Sequence, residues 1–118
     1  MLLVLDTNQY LFAFGLFKKP SCATLIDILK DKSFLHTIRI PRLILNEVGS
    51  HLSPEAFREL IKFIYALTIP DEDSFVPFDL GTKYESLGLK PADAFIAAYT
   101  EWTGADVLVT ENRHFLSR

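Results

Sequence analysis

Cysteine is almost absent from the chain: Cys22 stands alone among 118 residues. One thiol closes no internal disulfide, so nothing calls for an oxidising compartment, and a reducing cytoplasm is the simpler expectation. Glycine is scarce too, at five scattered residues, which excludes a glycine-rich loop that cradles phosphates. Long apolar runs are missing as well. The start of the chain is apolar, but Asp6, Thr7, Asn8 and Gln9 interrupt it. Lys18 and Lys19 follow that stretch, whereas a secretory signal places its basic residues first. No segment approaches the roughly 20 apolar residues that cross a bilayer, so no membrane partner is expected. Basic charge is also short, with a formal net charge of −3. That disfavours gripping nucleic acid by a broad basic surface. It leaves room for a carboxylate site that creates a local positive centre by holding a dication.

What is present suits a folded protein. Hydrophobic residues make up 49% and charged residues 23% of the chain, which excludes intrinsic disorder. The length suits a single domain over residues 1–118.

The pattern along the chain alternates strands with helices. Leu2 to Leu5 is a short continuous apolar run, as in a strand buried on both faces. Asp6-Thr7-Asn8 then supplies cap chemistry for a helix from Gln9 to Phe17. A second helix runs from Pro20-Ser21 to about Leu29, with Leu25, Ile26, Ile28 and Leu29 as its apolar side. Phe34 to Ile40 reads as a strand, and Pro41 suits the first position of a helix reaching Leu52. Ser53-Pro54 starts another helix that ends at Leu67. Thr68 to Phe78 holds three acidic residues with Pro70 and Pro77, so it is expected to be mainly loop, with a short strand at Phe75-Val76. Helices follow over Asp79 to Leu87 and from Lys90-Pro91-Ala92-Asp93 to Thr103-Gly104. Val107 to Val109 is a second buried strand, and Glu111 to Ser117 a last short helix or turn. The expected fold is an α/β, three-layer α/β/α sandwich around a mostly parallel sheet of about four or five short strands.

In such sheets ligands collect at the carboxyl ends of the strands. Asp6 follows the first strand, and Thr110-Glu111-Asn112 follows the last. Asp6 serves equally well as a helix cap or as a carboxylate offered to a metal, with Asn8 beside it to hold it in place. Glu47 is more telling, because it lies on the arc of its helix defined by Leu43, Ile44 and Val48. A carboxylate buried there needs a metal or a basic partner, and His51, one turn on, is the candidate base. Asp93 sits in the first turn of its helix, where the macrodipole alone favours it by roughly 0.3–1 kcal/mol. Glu111 and Asn112 compete for the last position, and an amide oxygen is the weaker ligand for Mg²⁺. Phe95, Tyr99 and Trp102 form a bulky face that suits core packing better than base stacking. His36, His51 and His114 lack metal-binding spacing, Cys22 has no partner for a nucleophilic dyad, and Arg39, Arg42 and Arg113 are candidates to border the site.

Taken in order, LVLDTN (Leu3 to Asn8), Glu47, PADAFIAA (Pro91 to Ala98) and VLVTENRHF (Val107 to Phe115) resemble the PIN-domain family. The likeness is greatest to the small toxin ribonucleases of bacterial and archaeal toxin–antitoxin modules, and it spans nearly the whole chain. The resemblance implies a site of Asp6, Glu47, Asp93 and Asn112, supported by Asn8, Thr110 and Glu111. It implies Mg²⁺ or Mn²⁺ held by Asp6, Glu47 and Asp93, endoribonuclease action on RNA, an antitoxin protein as partner, and a homodimer. Asn112 departs from the Asp of many members. A non-catalytic PIN-like interaction module is the alternative. A different Mg²⁺-dependent phosphohydrolase would want Asp at position 8, and a receiver-like domain would want Lys after the final strand; neither is there.

Overall fold

The computed structural model describes residues 1–110; the expected terminal helix, with Glu111, Asn112, Arg113 and His114, lies outside the described residues. Four strands carry the fold: β1 (Leu2–Leu5), β2 (Thr37–Pro41), β3 (Thr68–Asp71) and β4 (Val107–Val109). Between them lie α1 (Thr7–Phe14), α2 (Pro20–Asp31), α3 (Arg42–Ser50), α4 (Pro54–Leu67), α5 (Phe78–Ser86) and α6 (Pro91–Thr103). The sheet order is β3-β2-β1-β4 and every pairing is parallel. The chain therefore steps outward from β1 through β2 to β3, then returns to place β4 on the other side of β1. Right-handed crossovers put α1–α4 on one face and α5–α6 on the other. Packing agrees, since α1 packs on α2, α3 and α4, whereas α5 packs on α6.

β1 is an interior strand, and its continuous apolar run suits that place. Leu3, Val4 and Leu5 are all buried, each contributing about 1.5–3 kcal/mol over an exposed position. The main core joins Leu3 and Leu5 to Tyr10, Ile26, Ile38, Ile40, Ile44, Val48, Leu60 and Ile64. A smaller cluster of Leu89, Ala94 and Ala97 lies between α5 and α6, with Tyr84 against it. Ile96 is the α6 residue that enters the main core. Gly104 closes α6 in the left-handed conformation at φ 70°, which glycine adopts without a Cβ clash.

Several boundaries differ from the sequence reading. α1 begins at Thr7 and ends at Phe14, leaving Leu16 and Phe17 exposed beyond it. β2 starts at Thr37 instead of Phe34 and runs on through Pro41. Ile28 is turned outward, and Cys22 takes its place beside Ile26 and Leu29 on the buried side of α2. The largest correction is at Thr68–Asp71, which is strand, while Asp73–Phe75 is a short 3₁₀ turn with no strand at Phe75-Val76. Pro70 argues against a strand only where the strand is interior. β3 is an edge strand paired to β2 alone, and an edge tolerates a residue without an N–H.

Candidate active site

The strand order reverses between β1 and β4, and a crevice opens at such a point outside the carboxyl ends of the strands. Asp6 stands in it. Its backbone N–H continues the ladder to the Val109 carbonyl at 3.0 Å, so its position is set by the sheet. The residue is only 5% exposed. One oxygen, Oδ1, accepts from the Thr7 backbone N–H at 2.7 Å and so caps α1. The other, Oδ2, accepts from Thr110 Oγ1 at 2.8 Å across the β1/β4 boundary.

Two further carboxylates share the cleft. A hollow of about 260 Å³ is lined by Asp6, Thr7 and Asn8, by Glu47 and His51 of the α3 region, and by Ala92, Asp93 and Ile96 of α6. Burial holds the Asp6 carboxyl above the usual carboxylate range; the bonds from Thr110 and Thr7 pull it down, and the charges of Asp93 and Glu47 push it up again. Among the described residues, neither Asp6 nor Glu47 has an ion-pair partner.

Glu47 is half-buried, not enclosed. Ile44 and Val48 form the buried centre of α3, so Glu47 falls at the edge of the apolar arc, where the backbone aims it into the cleft mouth. Its Oε2 accepts from Thr7 Oγ1 at 2.8 Å. His51 is not the basic partner expected of it. The His51 ring instead lies 2.8 Å from the Glu47 main-chain carbonyl and 3.1 Å from Ser50 Oγ, at the end of the helix.

The sequence marks Thr7 only as part of a cap, yet it links Asp6 through its N–H to Glu47 through its hydroxyl. Its place next to a strand-end Asp was the available signal. Asn8 lines the cleft but is exposed, and the bonds that fix Asp6 come from Thr7 and Thr110. Glu111 and Asn112 fall outside the described residues.

Arg39 and Arg42 do not border the cleft. Arg39 makes a bidentate pair with Asp71, Nε to Oδ2 at 2.9 Å and Nη2 to Oδ1 at 2.7 Å, and its guanidinium lies 5.3 Å from the Trp102 ring centre. Tyr99 donates its hydroxyl to Asp71 Oδ2 at 2.5 Å. Arg42 pairs with Glu72 at 2.6 Å on the surface. An arginine between the apolar Ile38 and Ile40, on an interior strand, was the sequence signal for a counter-charge like Asp71.

Oxygen donors of this kind suit a hard dication such as Mg²⁺ or Mn²⁺. Among the described residues no three His, Cys, Asp or Glu side chains converge closely enough to ligate one ion directly. Mg²⁺ keeps several waters and is often held by one or two carboxylates, so the donor set still fits.

Comparison with known proteins bears on the same residues. The family model of the PIN domain matches residues 3–118. Among curated protein sequences, none matches the chain. Among solved structures, a chain of VapBC2 from Rickettsia felis, bound to a DNA fragment from their promoter, superposes with a TM-score of 0.68. It shares 23% sequence identity, and the match covers 99% of this chain and 92% of that one. At that identity the likeness speaks for the fold.

Proposed function

The chain belongs to the PIN-domain family, and from that premise we propose that it is a divalent-metal-dependent endoribonuclease acting at the β1/β4 crevice. The observation that carries the reading is the cleft itself: a buried strand-end Asp6 held above the usual carboxylate range, faced by Glu47 and Asp93. Burying one carboxylate beside two others opposes folding unless a cation joins them. In this reading Asp6, Glu47 and Asp93 hold Mg²⁺ or Mn²⁺, directly or through water. A bound dication supplies an activated water and offsets charge on the scissile phosphate. Thr7 and Thr110 keep the Asp6 oxygens aimed, and Thr7 sets the Glu47 rotamer. Asn8, Glu111 and Asn112 complete the polar rim by family resemblance.

The structurally similar chain was solved as part of VapBC2 with a DNA fragment, which supports a small antitoxin protein as the partner of this one. The activity test is direct. With Mg²⁺ or Mn²⁺ the purified protein should cut RNA, and Asp6→Asn or Asp93→Asn should lose that cleavage by about 10³-fold or more while keeping the fold. A wild type that cuts no RNA under any divalent metal sinks the enzyme reading. A second reading, a non-catalytic PIN-like module, is favoured by the absence of three directly converging ligands among the described residues. It predicts no Mn²⁺ binding near Asp6.

A further inference from the structure

The acidic run Asp71-Glu72-Asp73 has no part in the cleft, yet its two outer members reach the two helices that bring Glu47 and Asp93 to it. Asp71, at the end of β3 and 8% exposed, accepts from the Tyr99 hydroxyl of α6. Its other bonds come from Arg39 of β2, so the carboxylate ties α6 to two strands at once. Tyr99 lies six residues after Asp93, about 9 Å along the same helix. Asp73 acts on α3. That helix starts after Pro41, which offers no capping side chain. Asp73 Oδ1 instead accepts from the Leu43 N–H at 3.0 Å, thirty residues away in sequence. Leu43 is one turn before Glu47, on the same side of α3. Glu72 points to solvent, paired to the equally exposed Arg42.

The need for such ties is plain from the packing. α5 and α6 share their own small cluster; of the buried α6 side chains Ile96 joins the main core, while Ala98 and Tyr99 are buried beside it. Without Asp71 the helix bearing Asp93 would be held to the sheet chiefly by apolar contact, which resists separation but fixes position poorly. We infer that Asp71 and Asp73 are positioning residues: from one turn they fix α6 and α3, and thereby the placement of Asp93 and Glu47 about Asp6. This rests on the carboxylate-site reading above.

The test is Mn²⁺ affinity by calorimetry, beside the melting temperature of the same apo samples. Tyr99→Phe removes one hydroxyl and leaves the Arg39–Asp71 pair; Asp73→Ala removes the α3 cap. Each should weaken Mn²⁺ binding about tenfold, the low end of what outer positioning contacts usually contribute, at temperatures where both variants are folded. Asp73→Asn keeps an acceptor for Leu43 and should restore affinity to within about twofold of wild type. Glu72→Gln should bind as wild type does, since an exposed pair contributes little. If Tyr99→Phe and Asp73→Ala melt earlier but bind Mn²⁺ as tightly as wild type, their role is structural and the inference fails. If the wild type binds no Mn²⁺, the carboxylate-site reading itself fails, and the inference falls with it.

Discussion

Asp6 and Asp71 are the same residue type in the same setting, each at the carboxyl end of a parallel strand and each nearly buried, at 5% and 8% exposure. Their carboxyls move in opposite directions. Burial pushes both up. At Asp71 the Arg39 bonds, the Tyr99 hydroxyl and the Arg39 charge together more than offset it, and the group lies below its usual range. At Asp6 the two threonine bonds do not offset it, and neighbouring carboxylates add to the rise. Burial alone therefore says nothing about role. The carboxylate compensated from within the chain ties strands and helix together, and the one whose compensation is incomplete is the one the proposed metal site uses.

The largest way to break the contrast is to take the cation from Asp71. Arg39→Ala should cost about 2–4 kcal/mol, somewhat less than a fully enclosed pair because the Arg39 side chain is 25% exposed. The measurement is urea unfolding as a function of pH. A lowered folded pKa gives stability that is present above the unfolded value, about 3.9, and lost as pH falls through the folded pKa. Arg39→Ala should lack that acid loss.

Next is Asp6, where the sign reverses. Its raised folded pKa favours folding below the unfolded value and loses that favour as pH rises through the folded one. At neutral pH without metal, Asp6→Asn should therefore be more stable than wild type, by about 0.5–2 kcal/mol. The gain should shrink on acidification. Adding Mn²⁺ should reverse the order, since wild type alone gains about 2.7 kcal/mol at about a hundred times Kd. An Asp6→Asn protein less stable than wild type in EDTA would show that the Asp6 charge serves the metal-free fold after all, since Asn caps a helix as well as Asp does.

The smallest effect sharpens the difference within the cleft. Thr7→Val keeps the backbone N–H bond to Asp6 and removes only the hydroxyl bond to Glu47. The expected stability change is about 0.5–1.5 kcal/mol. RNA cleavage should fall further than that change alone explains, because the Glu47 rotamer is released.

The sequence alone determined what depends on local pattern. Leu2–Leu5 and Val107–Val109 read as strands because short continuous apolar runs have few other uses, and Asp6 read as a strand-end carboxylate because its neighbours forced it there. Only the first is buried as expected: β4 lies at a sheet edge, with Val107 exposed and Leu108 and Val109 half-buried. The order of motifs was enough to identify the family. Local pattern also failed in definable places. Pro70 hid an edge strand, because edge or interior is a property of the sheet and not of the residue. Glu47 read as an interruption of an apolar arc, yet only the packing of α3 shows it at the edge of that arc, reached by Thr7. Which acidic residue is neutralised was likewise beyond the sequence. Asp71 meets Arg39 across 32 residues and Tyr99 across 28, while Asp6 meets Thr110 across 104. A charge's meaning depends on what the fold brings within a few ångströms, and the parallel sheet, closing in the order β3-β2-β1-β4, decided that.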